Sequence, residues 1–169
     1  MALLLFLRLL CLQSRVAGLA VEQVVGTAYI NQVRDPRFAD AVAQGRLQEV
    51  SRADGVDPER LLALAPQVVF DHPFGSGERR TGTLANTVLV TEYLEEHPLG
   101  RAEWVRFFGV LLGMEQRADS VFKTVEHRYE VLREMNSHLI GRPTVLFGSH
   151  WEGAWFAPAG NSYMATLIN

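Results

Sequence analysis

The chain has 169 residues, 48% of them apolar and 21% charged, with a formal net charge of −3. A chain of this length can bury roughly 70% of its unfolded surface, and its composition is far from that of a disordered segment. With no basic tract and no acidic tail, nothing in the charge pattern points to nucleic acid; the single cysteine, Cys11, excludes an internal disulfide and any paired-cysteine metal spacing.

The opening MALLLFLRLLCLQ is apolar but shorter than the roughly 20 residues of a membrane span. Arg8 interrupts it, no basic region precedes it, and Leu10 stands before Cys11 where a lipoprotein signal wants a small residue. Residues 3–12 are therefore predicted to form a buried first helix, with a degenerate or truncated signal as the alternative. RVAGLAV (15–21) predicts a short strand entering a loop. In DPRFADAVAQG (35–45), Asp35 as N-cap, Pro36 at the first helical position and Gly45 as C-cap spell a helix. The same grammar returns in DPERLLALAP (57–66), where Leu61, Leu62 and Ala65 form the apolar face and Pro66 ends it. QVVFD (67–71) then predicts a buried strand, 72–86 a Gly/Ser/Thr-rich loop, and TVLVTEY (87–93) a further strand.

Pro98 and Gly100 predict a turn, and RAEWVRFFGVLLG (101–113) a helix closed by Gly113. Over 115–139, Ala118, Val121, Phe122, Val125, Tyr129, Leu132, Met135 and Leu139 make a one-sided stripe free of Gly and Pro. That helix would be about 37 Å long, enough to cross a whole domain. PTVLFGS (143–149) predicts a strand, followed by an aromatic loop and a helix from Ser162. The fold class expected is α/β: an N-terminal parallel-sheet lobe, a long connecting helix and the start of a second α/β lobe.

EYLEEHPLGRAEW (92–104) concentrates chemistry. Glu95 or Glu96 with His97 could pair as acid and base, and Glu92, Glu96 and His97 could hold a metal, but neither set has the i, i+4 helical pairing of a zincin. Because carboxyl ends of strands in open α/β sheets face the ligand crevice, Tyr93, Glu95, Glu96 and His97 are expected near the mouth of a cleft, as ligand contacts or as a structural corner.

DPERLLALAPQVVF, EYLEEHPLGRAEWVRFFGVLLGMEQRADSVF and RPTVLFGSHWEGAWFAPAGNSYMATLI together resemble the substrate-binding proteins of ABC importers for iron–siderophore complexes and cobalamin, whose two lobes are joined by a rigid helix. The resemblance covers most of the chain and a little over half of a full family member. It departs from the pattern at Gln67, where an Asp is usual, and in residues 75–86, which are short for the expected helix. It implies an N-terminal lobe over 1–114 whose first strand is missing upstream of MALLLFL, a connecting helix over 115–140, and the start of a C-terminal lobe over 141–169. It also implies capture without catalysis, no resident cofactor, a ferric siderophore or cobalamin as cargo, an ABC permease and ATPase as partners, and a periplasmic or cell-envelope lipoprotein location with no membrane span of its own.

Residue by residue, Glu59 matches a surface glutamate that docks on permease arginines in this family; its first-turn position also suits the helix dipole. Trp151, Trp155 and Phe156 in a Gly/Pro loop could stack on a flat chelate or plug the lobe, and His150 could add a polar contact. His72, Arg79 and Arg80 could meet an anionic siderophore or line a solvated loop. His127 and His138, three turns apart on the long helix, are expected on the surface. Two other functions fit the residues: a truncated or interaction fragment of such a protein, and an α/β metal-binding protein or enzyme using Glu96 and His97.

Overall fold

Two Asp-Pro pairs start helices as their chemistry requires. Pro36–Ala43 (α1) is capped by Asp35, whose carboxylate accepts from the Arg37 N–H at 3.0 Å. Pro58–Leu64 (α2) is capped by Asp57, which accepts from the N–H groups of Glu59 and Arg60. Each proline takes the first helical position, where its missing N–H costs nothing. The computed structural model describes residues 3–5, 21–33, 35–52, 55–71, 86–141 and 143–168.

The strands around these helices are Leu3–Leu5 (β1), Val24–Thr27 (β2), Gln48–Glu49 (β3), Ser51–Arg52 (β4), Gly55–Val56 (β5), Val68–Asp71 (β6) and Thr87–Leu89 (β7). Five of them make a parallel sheet in the order β3-β2-β1-β6-β7, and β4 and β5 form a small antiparallel ribbon. Parallel neighbours need crossovers, which α1 supplies between β2 and β3; α2 lies between β3 and β6 in the chain and returns it from the sheet's edge to a place beside β1.

The helix expected over 3–12 is corrected at Leu3–Leu5. These residues are the centre strand of the sheet, paired with β2 on one side and β6 on the other. A short apolar run reads equally well as buried helix or as central parallel strand, and the two flanking ladders decide it. Residues 6–12, with Cys11, lie outside the described residues, as do 15–20 of the strand expected at 15–21. Val21–Gln23 is a 3-10 turn and the strand begins at Val24. The strand expected over 87–93 stops at Leu89, and Glu92–Leu94 is a 3-10 turn.

Alternation along β6 sorts the core into two layers, because successive strand residues face opposite sides. Val69 packs with Ala28, Val50 and Leu61 of α2. Phe70 packs on the other side, with Phe38 and Ala41 of α1 and with Val105 and Phe108 of the next helix. Helices thus cover both faces, the layering a buried parallel sheet requires. Phe70 and Phe108 meet edge to face with ring centroids 5.0 Å apart.

The helix expected from Arg101 begins earlier, at Pro98, and runs to Leu112 (α3). Proline at the first position starts it, so Pro98 and Gly100 lie in its first turn rather than before it. Gly113, in the left-handed region at φ 66°, closes α3 and lets Glu115–Ser137 (α4) fold back along it. The two helices touch at Gly109, where an added Cβ would lie 2.3 Å from the Ala118 Cβ. Arg106 joins them again, donating to Asp119 through Nη2 at 2.6 Å and stacking 3.9 Å over the Phe122 ring.

α4 has 23 residues and is therefore about 34 Å long. Ala118 and Phe122 are buried against α3, with Val121 and Val125 packed beside them. Further along the same stripe Leu132, Met135 and Leu139 are about 60% exposed. The first half of the rod packs against α3 and the second half is exposed.

Past α4 the strand expected over 143–149 is not formed. Val145, Leu146 and Phe147 are exposed and pair with nothing in a ladder. Pairing begins at Ser149–Trp151 (β8), which forms an antiparallel hairpin with Ala154–Phe156 (β9). Glu152 and Gly153, at φ 47° and 81°, make its two-residue turn, the paired positive φ that a tight hairpin demands. The aromatic residues expected in a loop therefore stand on a ribbon. Tyr163–Ile168 (α5) follows, with Ser162 Oγ accepting from the Ala165 N–H. The whole is an α/β fold: a parallel-sheet unit, a long helix, and the opening elements of a second unit.

Candidate ligand-binding site at the carboxyl edge of the sheet

All five parallel strands end at the same edge, and the described segments that follow β2, β3 and β7 begin there. β7 leads into the Glu92–Leu94 turn and then to His97, the N-cap of α3. β2 leads to Ala28 and Tyr29, and β3 ends on Glu49. β6 ends at Asp71; His72, Arg79 and Arg80, next in the chain, lie outside the described residues.

The turn after β7 is braced from three directions. Arg101, one helical turn into α3, reaches back so that Nε donates to the Glu92 carbonyl at 3.2 Å and Nη2 to the Tyr93 carbonyl at 3.1 Å. Glu95 accepts from the Trp104 indole N–H at 3.0 Å. His97 accepts from the Leu99 N–H through Nδ1 at 3.1 Å, and its ring meets the Tyr129 ring of α4 edge to face at 5.8 Å. Tyr93 is half-buried, while Glu96 and His97 are exposed at the surface of this edge. Glu92 is buried. Among the described residues no three His, Cys, Asp or Glu side chains come together as a metal-holding group, so Glu92, Glu96 and His97 do not form one.

The loop after β2 begins at the same edge, with β1 and β6 between it and β7. Tyr29 adopts a left-handed backbone, φ 57° and ψ 52°. Its N–H and that of Ile30 both donate to the Glu49 carboxylate, at 2.9 and 2.6 Å. The Ser51 N–H donates to the same carboxylate at 2.9 Å, and the Ser51 hydroxyl donates to it as well. Burial pushes the Glu49 carboxyl up, but the Ser51 hydroxyl and the three backbone N–H groups outweigh it and hold the group below the usual carboxylate range.

The remaining residues singled out in the sequence stand on other elements. Glu59 is exposed in the first turn of α2. Trp151 and Trp155 stand on the β8–β9 ribbon, 67% and 53% exposed, and His150 pairs with Trp155 across its ladder. Trp155 lies against Gly148, where an added Cβ would come within 2.6 Å of the indole nitrogen. His127 and His138 are at the surface, His138 beside Glu134 at 2.9 Å.

Glu49, Tyr29 and Arg101 were not singled out by the sequence reading. Glu49 sits in a two-residue strand that no periodicity marks, and only the fold brings it to Tyr29, 20 positions away. No helix among the described residues is long and apolar enough to cross a membrane.

Comparison with known proteins supplies the wider setting. The model of a family described as periplasmic binding proteins matches residues 15–169. An uncharacterized lipoprotein of Methanocaldococcus jannaschii is 29% identical over 133 residues, covering 76% of this chain and 32% of its own length. Among solved structures, an ABC transporter substrate-binding protein from Listeria monocytogenes superposes with a TM-score of 0.71 at 14% identity, over 99% of this chain and 62% of that one. The siderophore binding protein BauB, bound to two molecules of acinetobactin and ferric iron, superposes with a TM-score of 0.70 at 13% identity, over 99% of this chain and 58% of that one. The chain thus spans about a third of the curated relative's length and about three fifths of these two solved chains.

Proposed function

The chain belongs to the periplasmic binding protein family, and from that premise we propose that it carries one lobe, the connecting helix and the opening of the second lobe of an ABC importer's substrate-binding protein. Residues 1–114 are the first lobe, 115–140 the connecting helix and 141–169 the start of the second. The cargo is an iron–siderophore or cobalamin-type chelate, captured without chemical change. Tyr93, Glu96 and His97 contact it from the first lobe and Trp151 and Trp155 from the second. His72 and Arg80, in the stretch of chain that comes after β6, are assigned to the same set by chain order. The stiff connecting helix keeps closure small, and the loaded protein docks on the permease, coupled to its ATPase, through Glu59 at the cell-envelope face of the membrane.

The observation that carries this reading is the pairing of two features. The carboxyl edge of a parallel sheet bears a braced Tyr/Glu/His turn, and a second segment bears two indoles left open on a ribbon. Large aromatic faces suit a flat or catecholate chelate, and carboxyl strand ends are where open α/β sheets bind ligands. The solved relative that holds ferric iron in two acinetobactin molecules supports the cargo class.

The test is a titration of intrinsic tryptophan emission with ferric acinetobactin, a ferric catecholate and cyanocobalamin. Saturable quenching by one of them, reduced in Trp151→Phe and Trp155→Phe, is expected. No saturable response to any of the three overturns the assignment.

A further inference from the structure

Arg101 touches two parts of the molecule, the turn at Glu92 and Tyr93 and the ring of Tyr163, that are about 70 residues apart in sequence. On one side its guanidinium donates to the carbonyls of Glu92 and Tyr93, so the turn after β7 fixes the plane of the group. On the other side its open face is covered by the ring of Tyr163, the first residue of α5, with Cζ 4.0 Å from the ring centroid. A guanidinium held in plane by two acceptors is preorganised for such stacking, because little freedom is left to lose when the ring arrives. α5 has six residues, too few to hold as an isolated helix, so its stability comes from what it packs against. Tyr163 to Thr166 are half-buried, whereas Leu167 and Ile168 are nearly half exposed.

We propose that Arg101 is a positioning residue that latches α5, and with it the start of the second segment, onto the turn that carries Tyr93. The latch goes beyond the cargo reading: it concerns how the two segments are held, and its test contains no ligand.

The test is hydrogen exchange of the α5 amides, read by mass spectrometry on the full chain. Arg101→Ala and Tyr163→Ala are each expected to speed α5 exchange about fivefold, the scale of one cation–π contact. The double variant is expected to exchange no faster than either single one, and Tyr163→Phe, which keeps the ring, to match the parent. Arg101→Ala also removes two bonds to the turn; if the amides of α3 and α4 open with it, Tyr163→Ala decides, since that change leaves the turn intact. Unchanged α5 exchange in Tyr163→Ala, or a double variant whose effect is the sum of the single ones, overturns the latch.

Discussion

The carboxylate of Glu49 accepts the backbone N–H groups of both Tyr29 and Ile30, which places one acidic side chain under the loop that follows β2. The left-handed backbone of Tyr29 is unfavourable for a residue with a Cβ, by roughly 1–2 kcal/mol. The converging hydrogen bonds on Glu49 offset that cost and hold the loop in one shape. Replacing Glu49 by Gln puts an amide N–H where the loop's own N–H groups need an acceptor. The substitution is expected to lower stability by about 1–3 kcal/mol, measured as the urea midpoint at neutral pH. An unchanged midpoint would show that the tether carries no weight.

The same carboxylate gives the fold an acid dependence whose sign is set. The folded Glu49 carboxyl lies below its ordinary value, so the folded state binds the proton less readily than the unfolded chain. Its contribution is fully present above the unfolded glutamate value of about 4.3 and is lost as pH falls through the folded value. Thermal midpoints between about pH 5 and pH 3 are expected to fall more steeply for the parent than for Glu49→Gln. Parallel curves for the two proteins would assign the acid loss to other carboxylates.

The contact between α3 and α4 leaves no room at Gly109. A methyl group there would overlap Ala118, whose Cβ lies 2.3 Å from the added atom. Gly109→Ala is expected to destabilise by about 1–3 kcal/mol, although alanine is the better helix former. Combining it with Ala118→Gly, which restores the space, is expected to recover much of the loss in a denaturant titration. A Gly109→Ala protein as stable as the parent would mean that the helices part without strain.

His97 has a structural task at the corner whatever it contacts on the outside. Through Nδ1 it caps the N-terminus of α3. His97→Ala is expected to cost about 1 kcal/mol and His97→Asn, which can cap in the same way, much less. If both substitutions cost the same in thermal unfolding, the cap is not what His97 contributes.

Local rules were enough wherever the physics is local. Asp35-Pro36 and Asp57-Pro58 announce helix starts because the cap and the missing N–H lie within one turn of each other. The stripe from Ala118 to Leu139 announces a long one-sided helix because its period is written in consecutive turns, and α4 runs from Glu115 to Ser137. Leu3–Leu5 failed to announce itself because three leucines carry no period, and only strands β2 and β6 closing on either side make them a strand. The TVLF run before the aromatic ribbon failed for the opposite reason. Its composition favours a strand, but the ladder starts later, at Ser149, where a partner is in reach.

The site divides along the same line. That a Tyr/Glu/His cluster would follow a strand could be read directly from EYLEEH, since chain order alone places it at a carboxyl edge. That Glu49 reaches Tyr29, that Arg101 lies between Tyr93 and Tyr163, and that Gly109 must meet Ala118 depended on folding. Each joins residues between 8 and 62 positions apart, so no local pattern could contain it. Capping and periodicity are properties of neighbouring residues, which one chain states for itself; pairing across elements exists only once a sheet and two helices have set the distances.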